Sequence, residues 1–112
     1  MTPTEMREPT FLVLAALADG RKHGYALIAE AETLSGGRVK LKVGTLYAAL
    51  DRLQAEGLVD AAGEEVVGGR NRRYYALTDA GADALSEEVA RMQAKAALAS
   101  ARLKLRLAGG LA

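Results

Sequence analysis

Three arginines, Arg70, Arg72 and Arg73, crowd the segment GGRNRRYYALTDAG at residues 68–81. A guanidinium presents a rigid fork of N–H donors that clamps phosphate oxygens and fits a narrow minor groove, so the cluster reads as an anion-binding element. Gly68 and Gly69 stand between two runs of strand-like residues and predict a hairpin turn that carries the arginines away from the body. Upstream, GTLYAALDRLQAEGLV at 44–59 puts Leu46, Leu50 and Leu53 in one helical stripe and turns Gly44, Thr45, Ala48 and Arg52 the other way. Small outward residues let such a helix sit deep in a major groove, where Thr45 meets a base edge and Arg52, one turn on, reaches phosphate. Lys40 and Lys42, just before the helix, are further phosphate candidates. Tyr47 lies between the two faces: its hydroxyl is placed for phosphate and its ring for packing, and the spacing leaves both open. A reading helix beside a cationic hairpin points to double-stranded DNA.

Other chemistries find little support. His23 is the only histidine and there is no cysteine, which removes a multi-histidine metal site within one chain, thiolate ligands, disulfides and a thiol nucleophile. No metal and no cofactor is expected. Glu64-Glu65 and Glu87-Glu88 are sequence neighbours rather than facing pairs, and no base, nucleophile and oxyanion donor converge, so no enzymatic activity is expected.

The 112 residues suit one small domain, half apolar and 26% charged, well inside the globular class. The formal net charge is only +1, weak for a nucleic-acid partner. Phosphate attraction is screened beyond about 8–10 Å at ordinary salt, so the local crowding of arginines counts for more than the total. Glu64 and Glu65, on the rising arm of the hairpin, are the main acidic intrusion. The chain has no apolar run of membrane-spanning length, and the opening MTPTEMREPT lacks a signal-peptide layout. A cytoplasmic protein without a membrane partner is expected.

Around these residues the periodicity predicts a nearly all-apolar helix over 9–20, with Pro9 in its first turn and Gly20 as its stop. Phe11 and Leu14 are read there as surplus apolar surface that a second chain must cover. A second helix runs from His23 or Gly24 to Leu34, with Tyr25 and Ile28 in one apolar row and Leu27, Ala31 and Leu34 in the next. The alternating Arg38-Val39-Lys40-Leu41-Lys42 reads as an extended linker resting one side on the core. After the third helix and the hairpin, whose returning strand puts Tyr75 and Leu77 on one face, Thr78 is an N-cap for a helix over 79–107. That helix is about 43 Å long, more than the domain needs to cover itself. Leu85, Val89, Met92, Ala96, Ala99 and Leu103 repeat at alternating steps of four and three, a narrow seam that calls for a partner helix. The alternating Leu103–Leu107 stretch is expected to fray, and residues 108–112 to form a disordered tail.

Three helices, a hairpin and a long helix describe a mainly α (α+β) winged helix-turn-helix domain over 1–78 with a C-terminal dimerisation helix over 79–107. HGYALI at 23–28, GTLYAALDRLQAEGLV at 44–59 and NRRYYALTDAG at 71–81 resemble the PadR family of bacterial transcriptional regulators, in its short form with one C-terminal helix. The resemblance implies a homodimeric winged-helix repressor that binds a pseudo-palindromic operator and often releases it to a small molecule. Ala48 stands where the family commonly has proline, and Ala26 where it has an acidic residue. Alanine at 48 restores a backbone N–H and raises helix propensity in the first turn. Some drug-binding relatives sandwich planar ligands with aromatic residues on the long helix, but no aromatic residue follows Tyr75 here. A small hydrophobic or aromatic effector would have to use Met92, Ala96 and Ala99 at the dimer seam. Two other readings remain open at this stage: a winged-helix module that binds protein, and a small-molecule sequestering protein without a DNA target.

Overall fold

The computed structural model describes residues 6–109. Its elements run α1 (Glu8–Leu17), β1 (Lys22–His23), α2 (Gly24–Leu34), α3 (Val43–Ala55), β2 (Val59–Val67), β3 (Arg70–Leu77) and α4 (Asp79–Leu107). The core forms where α1, α2 and α3 bring their apolar faces together over the inner face of the sheet. Leu14, Leu27, Leu46, Leu50, Leu53, Val13 and Val59 are the largest of its fully enclosed side chains. The leucine stripe of α3 is therefore core, as its spacing requires, and α3 closes on Gly57. With φ of 77° that glycine lets Leu58 N–H donate to Leu53 C=O and its own N–H to Gln54 C=O, which satisfies two orphan carbonyls and turns the chain into β2.

Several expectations need correction. Leu14 is completely buried within its own chain, because α1 packs five of its side chains against α2, α3 and α4, so it is not available to a dimer interface. Phe11 is half-buried against the same core. In α2, Leu27 and Ala31 are buried and Ile28 packs against the core, but Tyr25 and Leu34 are exposed, so each of the two apolar rows loses one end to the surface. Despite the alternating pattern of its tail, α4 runs as a continuous helix to Leu107, and Ala108 and Gly109 close it. Of the tail expected at 108–112, residues 110–112 lie outside the described residues, as do residues 1–5 of the expected winged-helix segment.

The sheet has the order β1-β3-β2, all antiparallel. β1 is only Lys22 and His23, pairing with Tyr75 and Tyr74, and two residues are too few to show alternation in a sequence. Tyr75 is buried and Leu77 packs on the core, so the returning strand has the faces its alternation predicts. Gly68 and Gly69 have φ of 58° and 77°, positive at both central positions of a two-residue turn between Val67 and Arg70. Such a turn matches the twist of the flanking strands, and glycine adopts it without steric cost.

Thr78 anchors the last helix. Its Oγ1 accepts from Gly81 N–H at 3.0 Å and donates to Gly57 C=O at 2.7 Å, tying the start of α4 to the end of α3. Thr78→Ala is expected to cost about 1–2 kcal/mol, with Thr78→Ser recovering most of it; denaturant titration checks both. From Met92 to Gly109 every residue of the helix and its cap is exposed. Leu85 and Val89 belong to the domain's own packing, half-buried, whereas Met92, Ala96, Ala99 and Leu103 project beyond it. Leu98 and Leu105, outside the seam read from the sequence, are also exposed, so the uncovered apolar surface is broader than that seam.

Candidate nucleic-acid interface

Tyr47 of α3, the start of α2 and the hairpin line one cleft. Gly44, Thr45 and Ala48 are exposed on α3, opposite the buried Leu46, Ala49, Leu50 and Leu53. Between Tyr47 of this helix, the start of α2 and the hairpin arginines lies a space of about 500 Å³. His23 lines it from the end of β1, Gly24 and Tyr25 from α2, and Arg70, Asn71, Arg72 and Arg73 from β3. The expected Arg70, Arg72, Arg73 and Tyr47 are thus brought together, with Tyr25 and Asn71 as neighbours the sequence reading did not single out. Tyr25 was masked by its place in an apparent apolar row, and Asn71 by the arginines around it.

Tyr47 lies against the first turn of α2. A Cβ placed on Gly24 would lie 2.5 Å from the Tyr47 hydroxyl, so the missing side chain at position 24 is what lets the ring settle on the first turn of α2. His23 caps that turn, its Nδ1 accepting from Ala26 N–H at 3.4 Å. Its ring also meets Tyr74 edge-on at 5.6 Å. The guanidinium of Arg21 lies 4.4 Å over the Tyr74 ring while its Nη1 donates to Ala62 C=O at 2.8 Å, bracing the root of the hairpin.

Not all of the expected cations are equally available. Arg52 donates from Nη2 to Thr10 Oγ1 at 2.5 Å, so it leans toward α1 instead of standing clear of the helix. Lys40 Nζ lies 3.8 Å from Glu32 Oε1, and Lys42 is the exposed residue that precedes the first turn of α3. In the hairpin, register places Arg73 opposite Glu64 and Arg72 opposite Glu65. Arg73 Nε is 3.8 Å from Glu64 Oε1, whereas Glu65 takes the Tyr74 hydroxyl at 2.8 Å. Arg70, beside the turn, pairs across to Val67 and faces no acid in the ladder.

Burial pushes the Tyr75 phenol above its ordinary range, the neighbouring Tyr47 adds to the shift, and Arg73 opposes it. A raised folded-state value favours the neutral phenol, so its contribution is complete below about pH 10 and is lost as pH rises beyond that, where the unfolded chain ionises first. Urea titrations are expected to show stability falling above pH 10, and the fall to be shallower in Tyr75→Phe.

Among the described residues no group of three His, Asp or Glu side chains could hold a metal ion, and no helix is long and apolar enough to cross a membrane. The model of the transcriptional regulator PadR-like family matches residues 13–87, from α1 through the wing and into α4. The chain belongs to the PadR-like family of transcriptional regulators. It is 42% identical over 76 residues to the transcriptional regulator Rv3488 of Mycobacterium tuberculosis, a match that covers 68% of this chain and 67% of that one. It is also 49% identical over 77 residues to an uncharacterised 37.1 kDa protein in transposon TN4556 of Streptomyces fradiae, where the match takes in 69% of this chain but only 21% of the relative's length. In three dimensions it resembles the PadR of Bacillus subtilis solved in complex with operator DNA, with a TM-score of 0.65 at 24% identity, over 74% of this chain and 47% of that one. That likeness establishes a PadR winged-helix fold, in which α2 and α3 are the helix-turn-helix and β2 and β3 the wing.

Proposed function

We propose that this PadR-like regulator is a repressor that binds a pseudo-palindromic operator as a homodimer. The observation that carries the reading is the juxtaposition of two elements: α3 exposes the small Gly44, Thr45 and Ala48 in its first two turns, and its Tyr47 shares a cleft with a wing that presents Arg70, Arg72 and Arg73. Thr45, Gly44 and Ala48 would enter the major groove, while the arginines, with Lys42, would hold the phosphates or the adjoining minor groove. The complex that Bacillus subtilis PadR forms with operator DNA supports this choice of partner. The exposed length of α4 supports the homodimer, since Met92, Leu98, Leu103, Leu105 and Leu107 are left uncovered by their own chain. Paired helices would set two reading helices about 34 Å apart, on successive major grooves. A small hydrophobic or aromatic effector lodged at Met92, Ala96 and Ala99 would change that spacing and release the operator.

Titration of the protein against the DNA upstream of its own coding region, beside an unrelated fragment of equal length and at two salt concentrations, tests the reading. Preferred binding to the first fragment that weakens steeply with salt is the expected result. Equal or absent binding to both would overturn it in favour of a protein-interaction module, which the near-neutral charge of the chain favours.

A further inference from the structure

Within α3 the only acidic residue is Asp51. At about 100° per residue, Gly44, Ala48, Asp51 and Ala55 fall within about 60° of arc, centred opposite the buried Leu46, Ala49, Leu50 and Leu53. All four are exposed, and Asp51 alone among them has a polar side chain. The other three offer nothing longer than a methyl group, so the short carboxylate is the tallest group on the midline of the outer face. It accepts no hydrogen bond and joins no ion pair among the described residues. The nearby cations are turned elsewhere. Arg52, next in sequence, donates to Thr10. Arg73 lines, with Asp51 and Gln54, a space of about 350 Å³ between α3 and the wing, but its Nε lies 3.8 Å from Glu64 Oε1. An unpaired carboxylate on a solvated helix face is ordinary. On a face that enters DNA it must lose its water, which costs affinity unless a base donates to it.

We propose that Asp51 is a specificity-determining residue, accepting a hydrogen bond from the exocyclic amino group of a cytosine in each half-site. The inference rests on the DNA-binding reading and adds to it the kind of base pair that α3 selects. A helix lying in the major groove turns its flanks to the two phosphate strands and its outward midline to the base edges. An acid on that midline faces the groove floor, and phosphate repels it from either flank. A carboxylate can only accept. In that groove cytosine presents its N4 amino donor, guanine and thymine present acceptors, and adenine sets its N7 acceptor beside its N6 donor, so cytosine fits best. The charge also selects by exclusion. Where no amino group stands opposite, Asp51 is desolvated without a partner, and the wrong sequence is penalised. This supplies discrimination to a protein whose arginine-bearing wing attracts the backbone of any DNA alike.

Selection from a randomised double-stranded DNA library by the full-length wild type, Asp51→Asn and Asp51→Ala provides the test. Each protein is then titrated with the selected sequences and with an unrelated fragment, and circular dichroism checks folding. Wild type is expected to select a C·G pair at one position of each half-site and to bind about 10- to 100-fold more weakly when that pair is changed. Asp51→Asn is expected to select an A·T pair at the same position, since an amide bonds adenine N6 and N7 together, and Asp51→Ala to accept any pair there. Both variants should bind the unrelated fragment more tightly than wild type, because a repelling charge is gone. Wild type that selects no sequence would overturn the operator reading and this inference together. A selected site without the C·G preference, or variants that keep the wild-type preference at every position, would overturn the inference alone. So would a folded variant that binds every sequence more weakly by the same factor.

Discussion

Gly81→Ala is expected to destabilise the protein by about 2–3 kcal/mol and to lower its melting temperature by roughly 10 °C or more. Alanine normally favours a helix over glycine by about 1 kcal/mol, so the sign must come from packing. A Cβ at position 81 would lie 2.1 Å from the Leu58 carbonyl oxygen and 2.7 Å from Leu77 Cδ1. The oxygen cannot step aside cheaply, because it accepts from Thr78 N–H at 3.1 Å at the same corner. Gly81 is buried where the first turn of α4 crosses the entry to β2, so the methyl group pushes the long helix off the domain built by α1–α3 and the sheet. Gly44→Ala is the matched control: it lies in α3 with nothing within 4 Å of a new Cβ and is expected to be neutral or slightly stabilising. Thermal denaturation of both variants decides it, and a Gly81→Ala protein as stable as wild type would contradict this close approach.

That contrast shows what kind of information the sequence holds. Apolar periodicity reports which side of an element is buried, so Leu46, Leu50 and Leu53 were legible, as were the Gly68-Gly69 turn and the Thr78 cap, whose signals are local. It does not report what buries that side. Leu14 was assigned to a partner because α1 is apolar all round, yet α2, α3 and α4 of the same chain enclose it. Gly24 and Gly81 read as ordinary helix residues, since the ring and the carbonyl that require them come from positions 47 and 58. Glu88 was passed over as one of two adjacent carboxylates, and its burial arises only where α4 packs on the rest of the chain. The candidate residues on α3 and the wing could be read as a set because they cluster in sequence, but the lean of Arg52 toward Thr10 depends on α1.

Replacing Arg70, Arg72 and Arg73 together with alanine is expected to weaken operator binding by about 100- to 1000-fold at low salt, each lost contact being worth roughly 1 kcal/mol or more. All three side chains are exposed, so the melting temperature should stay close to that of wild type. The losses are expected to be unequal. Arg73 already spends part of its charge on Glu64 at 3.8 Å, and so Arg73→Ala should cost the least. Arg72 stands opposite Glu65, but that carboxylate is engaged by the Tyr74 hydroxyl, which leaves the guanidinium freer to turn outward. Arg70 flanks the Gly68-Gly69 turn with no acid opposite, at the tip of the wing, and Arg70→Ala should cost the most. If these arginines neutralise phosphates, the slope of log affinity against log salt falls by about one for each removed, and by about three for the triple variant. A lower affinity with an unchanged slope would instead place them on bases or in the shaping of the wing. A triple variant that binds as tightly as wild type would remove the wing from the interface and leave α3 as the reading element on its own.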